Sequence, residues 1–209
     1  MRNKSYRVLA ATLATLLLPG FAPCASVKPL EIFSERIVIL EVERAANEHS
    51  MSEELVRNSL ERLDKGMNIM SQERAVASLK LLADARQAVA AAERSAEALS
   101  GYINASRHQL KAWGHERFLP LAGLNEKIEK PYHAALERFL ATAADFVQFC
   151  SENHDAISTG QPVENSRYNA RYAAYLADME AFNLQSTKRS QQIADWASAY
   201  PALMEFLPR

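Results

Sequence analysis

The feature that most constrains this chain is a heptad-spaced seam over Ala75 to Trp113. Leu82 and Ala85, Val89 and Ala92, Ala96 and Leu99, Ile103 and Ser106, and Leu110 and Trp113 recur there on one face. Such spacing predicts a long helix with one buried stripe, because a helix returns residues three and four apart to the same side. Four of these ten positions are Ala or Ser, so partners with large side chains can approach closely. Aromatic residues that could fill the space come later, at Phe139, Phe146, Phe149, Tyr168, Tyr172, Tyr175 and Phe182. Only 6 Gly and 8 Pro punctuate 209 residues, so the expected fold class is all-α. A chain of this length can bury one core without a metal or a disulfide lattice.

The first residues have a different character. Arg2, Lys4 and Arg7 precede an apolar run from Val8 to Leu18, broken by Pro19-Gly20 and followed by small residues through Ala22, Cys24, Ala25 and Ser26. This reads as an export signal over residues 1–26, cleaved near Cys24 to Ser26. The run is shorter than the roughly 20 apolar residues a membrane span needs. Lipidation at Cys24 would attach the protein to a membrane, but Phe21-Ala22-Pro23 matches poorly the small residues that precede a lipidated cysteine. The expected location is periplasmic or secreted. Without residues 1–26 the chain keeps 21 basic against 25 acidic residues, a net charge of −4. No basic face for phosphates is in view, so nucleic acid is not an expected partner.

Residues 27–209 read as one domain. Leu30, Phe33, Ile37 and Leu40 predict a first helix from Pro29 to about Glu48. Ser50 and Glu53, spaced as a capping box, place a turn at His49 to Glu53 before a second helix through Val56, Leu60, Leu63, Met67 and Met70. Residues 27–70 are therefore expected to form a helical hairpin. A break between Gly66 and Ser71 is favoured, because the stripe ending at Met70 is out of phase with the Leu82 heptads. Three long helices are expected over 71–200: the seam helix, one through Ile128, Tyr132, Ala135, Phe139 and Phe146, and one from Tyr168 to Tyr200. Gly114 to Gly123 is the first connector, Ser158 to Pro162 the second, and 201–209 an apolar tail that packs back. Folding about these turns predicts an elongated antiparallel bundle. It sets Phe146 near Tyr175, Phe139 near Phe182, Ala92 near Phe146 and Leu99 near Phe139. Aspartate at Leu99 or Phe139 is then expected to unfold the bundle.

Signatures of chemistry are sparse. There is no Cys-x-x-Cys-His for haem attachment, no Glu-x-x-His pair for di-iron, no His-Glu-x-x-His for zinc, no Gly-x-Ser-x-Gly elbow and no Gly-rich phosphate loop. Glu129, His133 and Glu137 share a helix face but read as a solvated charged edge. Met67 and Met70 read as core, as do Tyr168, Tyr172 and Tyr175 with their hydroxyls at the rim. Cys150 and His154 have the spacing of a thiol and imidazole in contact but lack an oxyanion donor, so Cys150 reads as a buried apolar side chain. No catalytic, metal or cofactor site is expected. A helix ending in Phe146-x-x-Phe149, a short turn and Tyr168-Asn169 opening another long helix resembles uncharacterised helical proteins and lipoproteins of bacterial envelopes, over about Pro131 to Tyr175.

Arg189 is the exception on an otherwise apolar or small seam, and the folding arithmetic places it near Tyr132, His133 and Ser106. A buried guanidinium must find partners. Either it pairs with Glu129 or snorkels past Tyr132, or Arg189, Ser106 and Tyr132 form an anion-binding pocket. In the second case Arg189→Met spares the fold and abolishes binding. The expected function is that of an exported, non-enzymatic helical protein of the bacterial envelope, acting on another envelope protein or on itself. A bundle that senses or carries a small anion between its helices is the alternative.

Overall fold

The computed structural model describes residues 28–159 and 165–206, and these are helical with no strand among them. The chain divides into two compact units, 1–34 and 35–209. Of the first, only residues 28–34, in the opening turns of a helix, are described. The export signal, Cys24 and the Gly160-Gln161-Pro162 part of the second turn lie outside the described residues.

The all-α expectation holds, but the N-terminal hairpin does not. One helix, α1, runs Lys28–Gly66 without a turn at His49 to Glu53. Its inward stripe passes through buried Val42, Ala46, His49, Glu53 and Val56, half-buried Leu60 and buried Leu63 in four-three alternation. The serines that suggested a turn are absorbed by the helix: Ser52 Oγ donates to the Glu48 carbonyl at 2.9 Å, one turn back. Glu53 caps nothing, because it points inward. The chain breaks at Gly66, where Asn68 N donates to Ser78 Oγ at 2.8 Å and Ser78 Oγ returns a bond to the Asn68 carbonyl at 2.9 Å. Ser71 then caps α2, Gln72–Ala105, by accepting from Arg74 N.

α2 carries the heptad seam as expected, with Leu82, Ala85, Val89, Ala92, Ala96, Leu99 and Ile103 buried. A short helix α3, Arg107–Ala112, continues it to a sharp turn at Gly114, whose φ of 76° is the left-handed conformation glycine accepts. A 3₁₀ turn over Glu116–Phe118 leads into α4, Leu119–Leu124, with Pro120 in its first turn. A π-helical turn over Asn125–Glu129 joins α4 to α5, Lys130–Glu152. There Lys130 N reaches back to the Asn125 carbonyl, and Pro131 follows without an N–H to offer. α6 is His154–Ser158, α7 is Asn165–Ala199, and Pro201–Phe206 forms a 3₁₀ tail.

Contacts give the directions within residues 35–209. Glu35 meets His115, His49 meets Ser95 and Asn68 meets Ser78, so α1 and the α2–α3 segment run antiparallel. Ser100 meets Asn125 and Arg86 meets Glu137, so α5 returns along α2. Rings pair Tyr132 and Phe139 with Phe182, and Phe146 with Tyr175 and Tyr168, so α7 is antiparallel to α5. The Phe146–Tyr175 and Phe139–Phe182 contacts are those expected.

The α2–α5 register is not the expected one. Ala92 packs in a cluster with Tyr132 and Leu136, and Leu99 in another with Phe118 and Leu121. The Ser100–Asn125 and Arg86–Glu137 contacts show the seam displaced by about fourteen residues, two heptads, from the pairing of Ala92 with Phe146. The cause is the connector: the chain turns at Gly114 and is helical again from Leu119, so the fold centre lies before residue 119. The tail packs back as expected, burying Leu203 and Phe206 beside Phe118 and Leu110.

Candidate functional site

The register brings one polar layer into the core. His49 and Glu53 occupy successive seam positions of α1, Glu129 ends the π-helical turn, His133 follows one turn on at the start of α5, and α7 contributes Arg189. Across from them α2 has Ala92, whose lack of bulk leaves room for the larger groups. Glu129 and His133 are fully buried, and His49 and Glu53 nearly so.

Arg189 binds both carboxylates. Its Nε donates to Glu129 Oε2 at 2.7 Å and its Nη2 to Glu53 Oε2 at 2.9 Å, while its guanidinium carbon lies 4.4 Å from the centre of the Tyr132 ring. That fork uses one oxygen of each carboxylate and leaves the other. Glu53 Oε1 and Glu129 Oε1 have no hydrogen-bond partner, and neither do His133 Nδ1 and Nε2. His133 Nε2 lies 2.7 Å from Glu53 Oε1, an ion-pair distance, although the geometry falls short of a well-aligned hydrogen bond. Ser95 Oγ donates to the Ala92 carbonyl at 2.8 Å, so at its 3.2 Å contact with His49 the hydroxyl oxygen accepts and His49 Nδ1 donates.

The fields are uneven. At Glu129 burial dominates and pushes the carboxyl above its ordinary range, with Arg189 only partly offsetting it. At Glu53 burial pushes the same way, but His133, Arg189 and His49 together outweigh it and hold the carboxyl below the ordinary range. Burial pushes the His49 imidazole down and the Tyr132 phenol up to about 12.

Two clefts open beside the layer. One, of about 360 Å³, is lined by Glu53, Val56, Arg57, Leu60, Glu61, Tyr132 and Arg189. The next, of about 340 Å³, shares Leu60 with it and continues over Met67, Phe139, Tyr175, Met179 and Phe182, with Asp64 and Asn183 also in its lining. Polar at one end and aromatic at the other, they face the sides of α1, α5 and α7.

Of the residues expected to form a ligand site, Tyr132 and Arg189 do meet. Ser106 does not join them, because it caps the far end of α2 and bonds back to Tyr102. Its displacement is the register shift again, since the α2 residue at this level is Ala92. The reading of Glu129, His133 and Glu137 as a solvated edge is corrected: only Glu137 is on the surface, paired with Arg86 at 2.6 Å. Sequence reasoning missed Glu53 and His49 by assigning them to a turn. The signal that would have found them is the four-three spacing that runs through both. Cys150 is a buried free thiol, pushed up by burial, and the helix ends at Glu152 before His154 begins the next. Met67 and Met70 lie beyond the end of α1, the first on the apolar cleft and the second exposed.

Compared with protein-family models, curated proteins and solved structures, the chain has no match.

Proposed function

We propose that this is a non-enzymatic helical binding protein that holds an amphipathic small molecule in the cleft beside Arg189. The observation that carries this is a pair of neighbouring clefts, about 360 and 340 Å³, with Leu60 lining both. Each is of the size small-molecule sites use. Phe139, Phe182, Tyr175 and Met179 offer an apolar bed. At the other end Glu53 and Glu61 face Arg57 and Arg189, so charges cancel in pairs. Because Arg189 already carries two carboxylates, a zwitterionic or neutral polar head suits this end better than a simple anion. The envelope location in this proposal rests on residues 1–26.

Calorimetry with three amphiphiles of one tail length, below their micelle concentrations, tests the reading: a phosphocholine, a carboxylate and a trimethylammonium. Saturable binding led by the phosphocholine is expected, and Phe182→Asp should abolish it while the helical signal persists. No heat with any of the three overturns the reading.

A second reading, interaction with an envelope protein or with a second copy, is favoured by the outer face of α1. Ile37, Leu40, Met51 and Leu55 are 45%, 60%, 67% and 57% exposed there, opposite the buried stripe. Sedimentation and pull-down from envelope extracts, comparing the protein with Leu40→Asp/Leu55→Asp, test it. Association that the double substitution leaves unchanged excludes this face.

A further inference from the structure

We infer that Glu53, Glu129 and His133 form a binding site for one divalent first-row transition-metal ion, with Arg189 orienting both carboxylates toward it. One ligand atom from each of the three residues lies within 4.8 Å of the others. An ion with bonds of about 2.1 Å spans ligand pairs up to about 4.2 Å apart, so shifts below an ångström close the cage. Arg189 leaves one oxygen of each carboxylate free for an ion. Glu129 Oε1 and His133 Nδ1 are buried without a hydrogen-bond partner, and Glu53 Oε1 and His133 Nε2 have only each other, a costly arrangement unless something more binds them. The 2.7 Å separation of His133 Nε2 and Glu53 Oε1 puts both atoms within reach of one ion.

The surroundings complete the site. Arg189 fixes the outer oxygens at 2.7 and 2.9 Å, the supporting role that outer hydrogen bonds play around ligating carboxylates. Two carboxylates and one guanidinium sum to a net −1 before the imidazoles are counted. His49, the other titratable group facing it, commits its Nδ1 to Ser95. An imidazole with two carboxylates selects ions such as Zn²⁺, Mn²⁺ or Co²⁺ over Mg²⁺ and Ca²⁺. Glu53, Tyr132 and Arg189 also line the larger cleft, which gives an ion its route in. The other occupant of the charge deficit is a proton, and the experiment separates the two.

The untagged full chain, stripped with a chelator, is titrated with Co²⁺ at neutral pH. One ion per chain is expected, with visible d–d bands that Zn²⁺ abolishes and a rise in melting temperature that saturates with the ion. His133→Gln and Glu129→Gln should each weaken binding at least tenfold. A wild-type measurement stands in for a variant that does not fold: Mn²⁺ should broaden the ring resonances of His133 and leave those of His108 and His154 sharp. Absence of the bands and of the melting shift in the wild-type protein overturns the site and leaves the proton as the occupant. Bands undiminished in folded His133→Gln, or broadening centred on another histidine, overturn it as well. None of these outcomes depends on amphiphile binding, so this site and the cleft reading fail separately.

Discussion

Removing the guanidinium of Arg189 would strand two carboxylates in the core, because Glu53 and Glu129 each give it one oxygen. Arg189→Met is therefore expected to destabilise the protein by about 3–5 kcal/mol, the cost of breaking a buried ion pair from one side. This reverses the expectation that attends an anion pocket. Urea denaturation measures it, and adding Glu53→Gln and Glu129→Gln to Arg189→Met should recover most of the loss. His49 sets a second expectation. Burial lowers its folded pKa below the ordinary 6.5, against Glu53 on its own helix and with His133 on α5 and Arg189 on α7 facing it. The fold prefers neutral His49, so its contribution is complete above about pH 6.5 and is lost as pH falls toward the folded value. Between pH 7 and 5, melting temperature should fall more steeply in the wild-type protein than in His49→Gln. Parallel slopes would remove His49 as a cause. Glu53 acts in the same direction, but at pH values below its ordinary 4.5.

Two glycines separate what an element tolerates from what a turn demands. Gly101 lies inside α2 with open space where a Cβ would go, whereas Gly114 has the same open space but a φ of +76°. Gly101→Ala should stabilise by roughly 0.5–1 kcal/mol through helix propensity, and Gly114→Ala should destabilise by about 1–2 kcal/mol through backbone strain. Opposite shifts of the urea midpoint are the check, and equal shifts would mean that the chain does not turn at Gly114. The π-helical turn at Asn125–Glu129 has a related part in the site. It ends on Glu129, one residue before the Lys130 that opens α5, and so sets where that carboxylate enters the core.

Across the described molecule, burial separates two leucine-like positions that the seam pattern treats alike. Leu99 is buried among Val42, Ala46, Ile103 and Leu121, so Leu99→Asp should abolish cooperative melting by leaving a carboxylate without a partner in a closed cluster. Phe139 is only partly buried and lines the apolar cleft, stacked on Phe182 at 5.5 Å. Phe139→Asp should therefore spare the fold at a cost of about 1–3 kcal/mol, a value set by lost ring packing, and impair amphiphile binding. Calorimetric melting of the two variants side by side decides this. Equal collapse would mean that the cleft is core. α7 has the same intermediate status: from residue 166 to 199 none of its residues is fully buried, although its seam pairs with α5.

Much of this fold is local and was legible for that reason. Heptad spacing dictated α2 and its buried Leu82, Val89 and Leu99, because side-chain direction follows from helical pitch alone. The break at Gly66, the cap at Ser71, the α5–α7 ring contacts and the inward place of Arg189 beside Glu129 followed from turn residues and stripes near them. What the chain could not show by itself was the α2–α5 register, because heptads repeat: every slip of seven residues buries the same kind of face, and only the structure shows that the connector turns at Gly114. That one choice carried Ser106 away from Arg189 and put Ala92 in its place. The polar layer was hidden by a second ambiguity. His49, Ser50, Ser52 and Glu53 are turn formers when read alone, and Glu129 and His133 are surface residues when read alone. They become core only when helices from distant parts of the chain bring their charges together and compensate the burial that each could not bear separately.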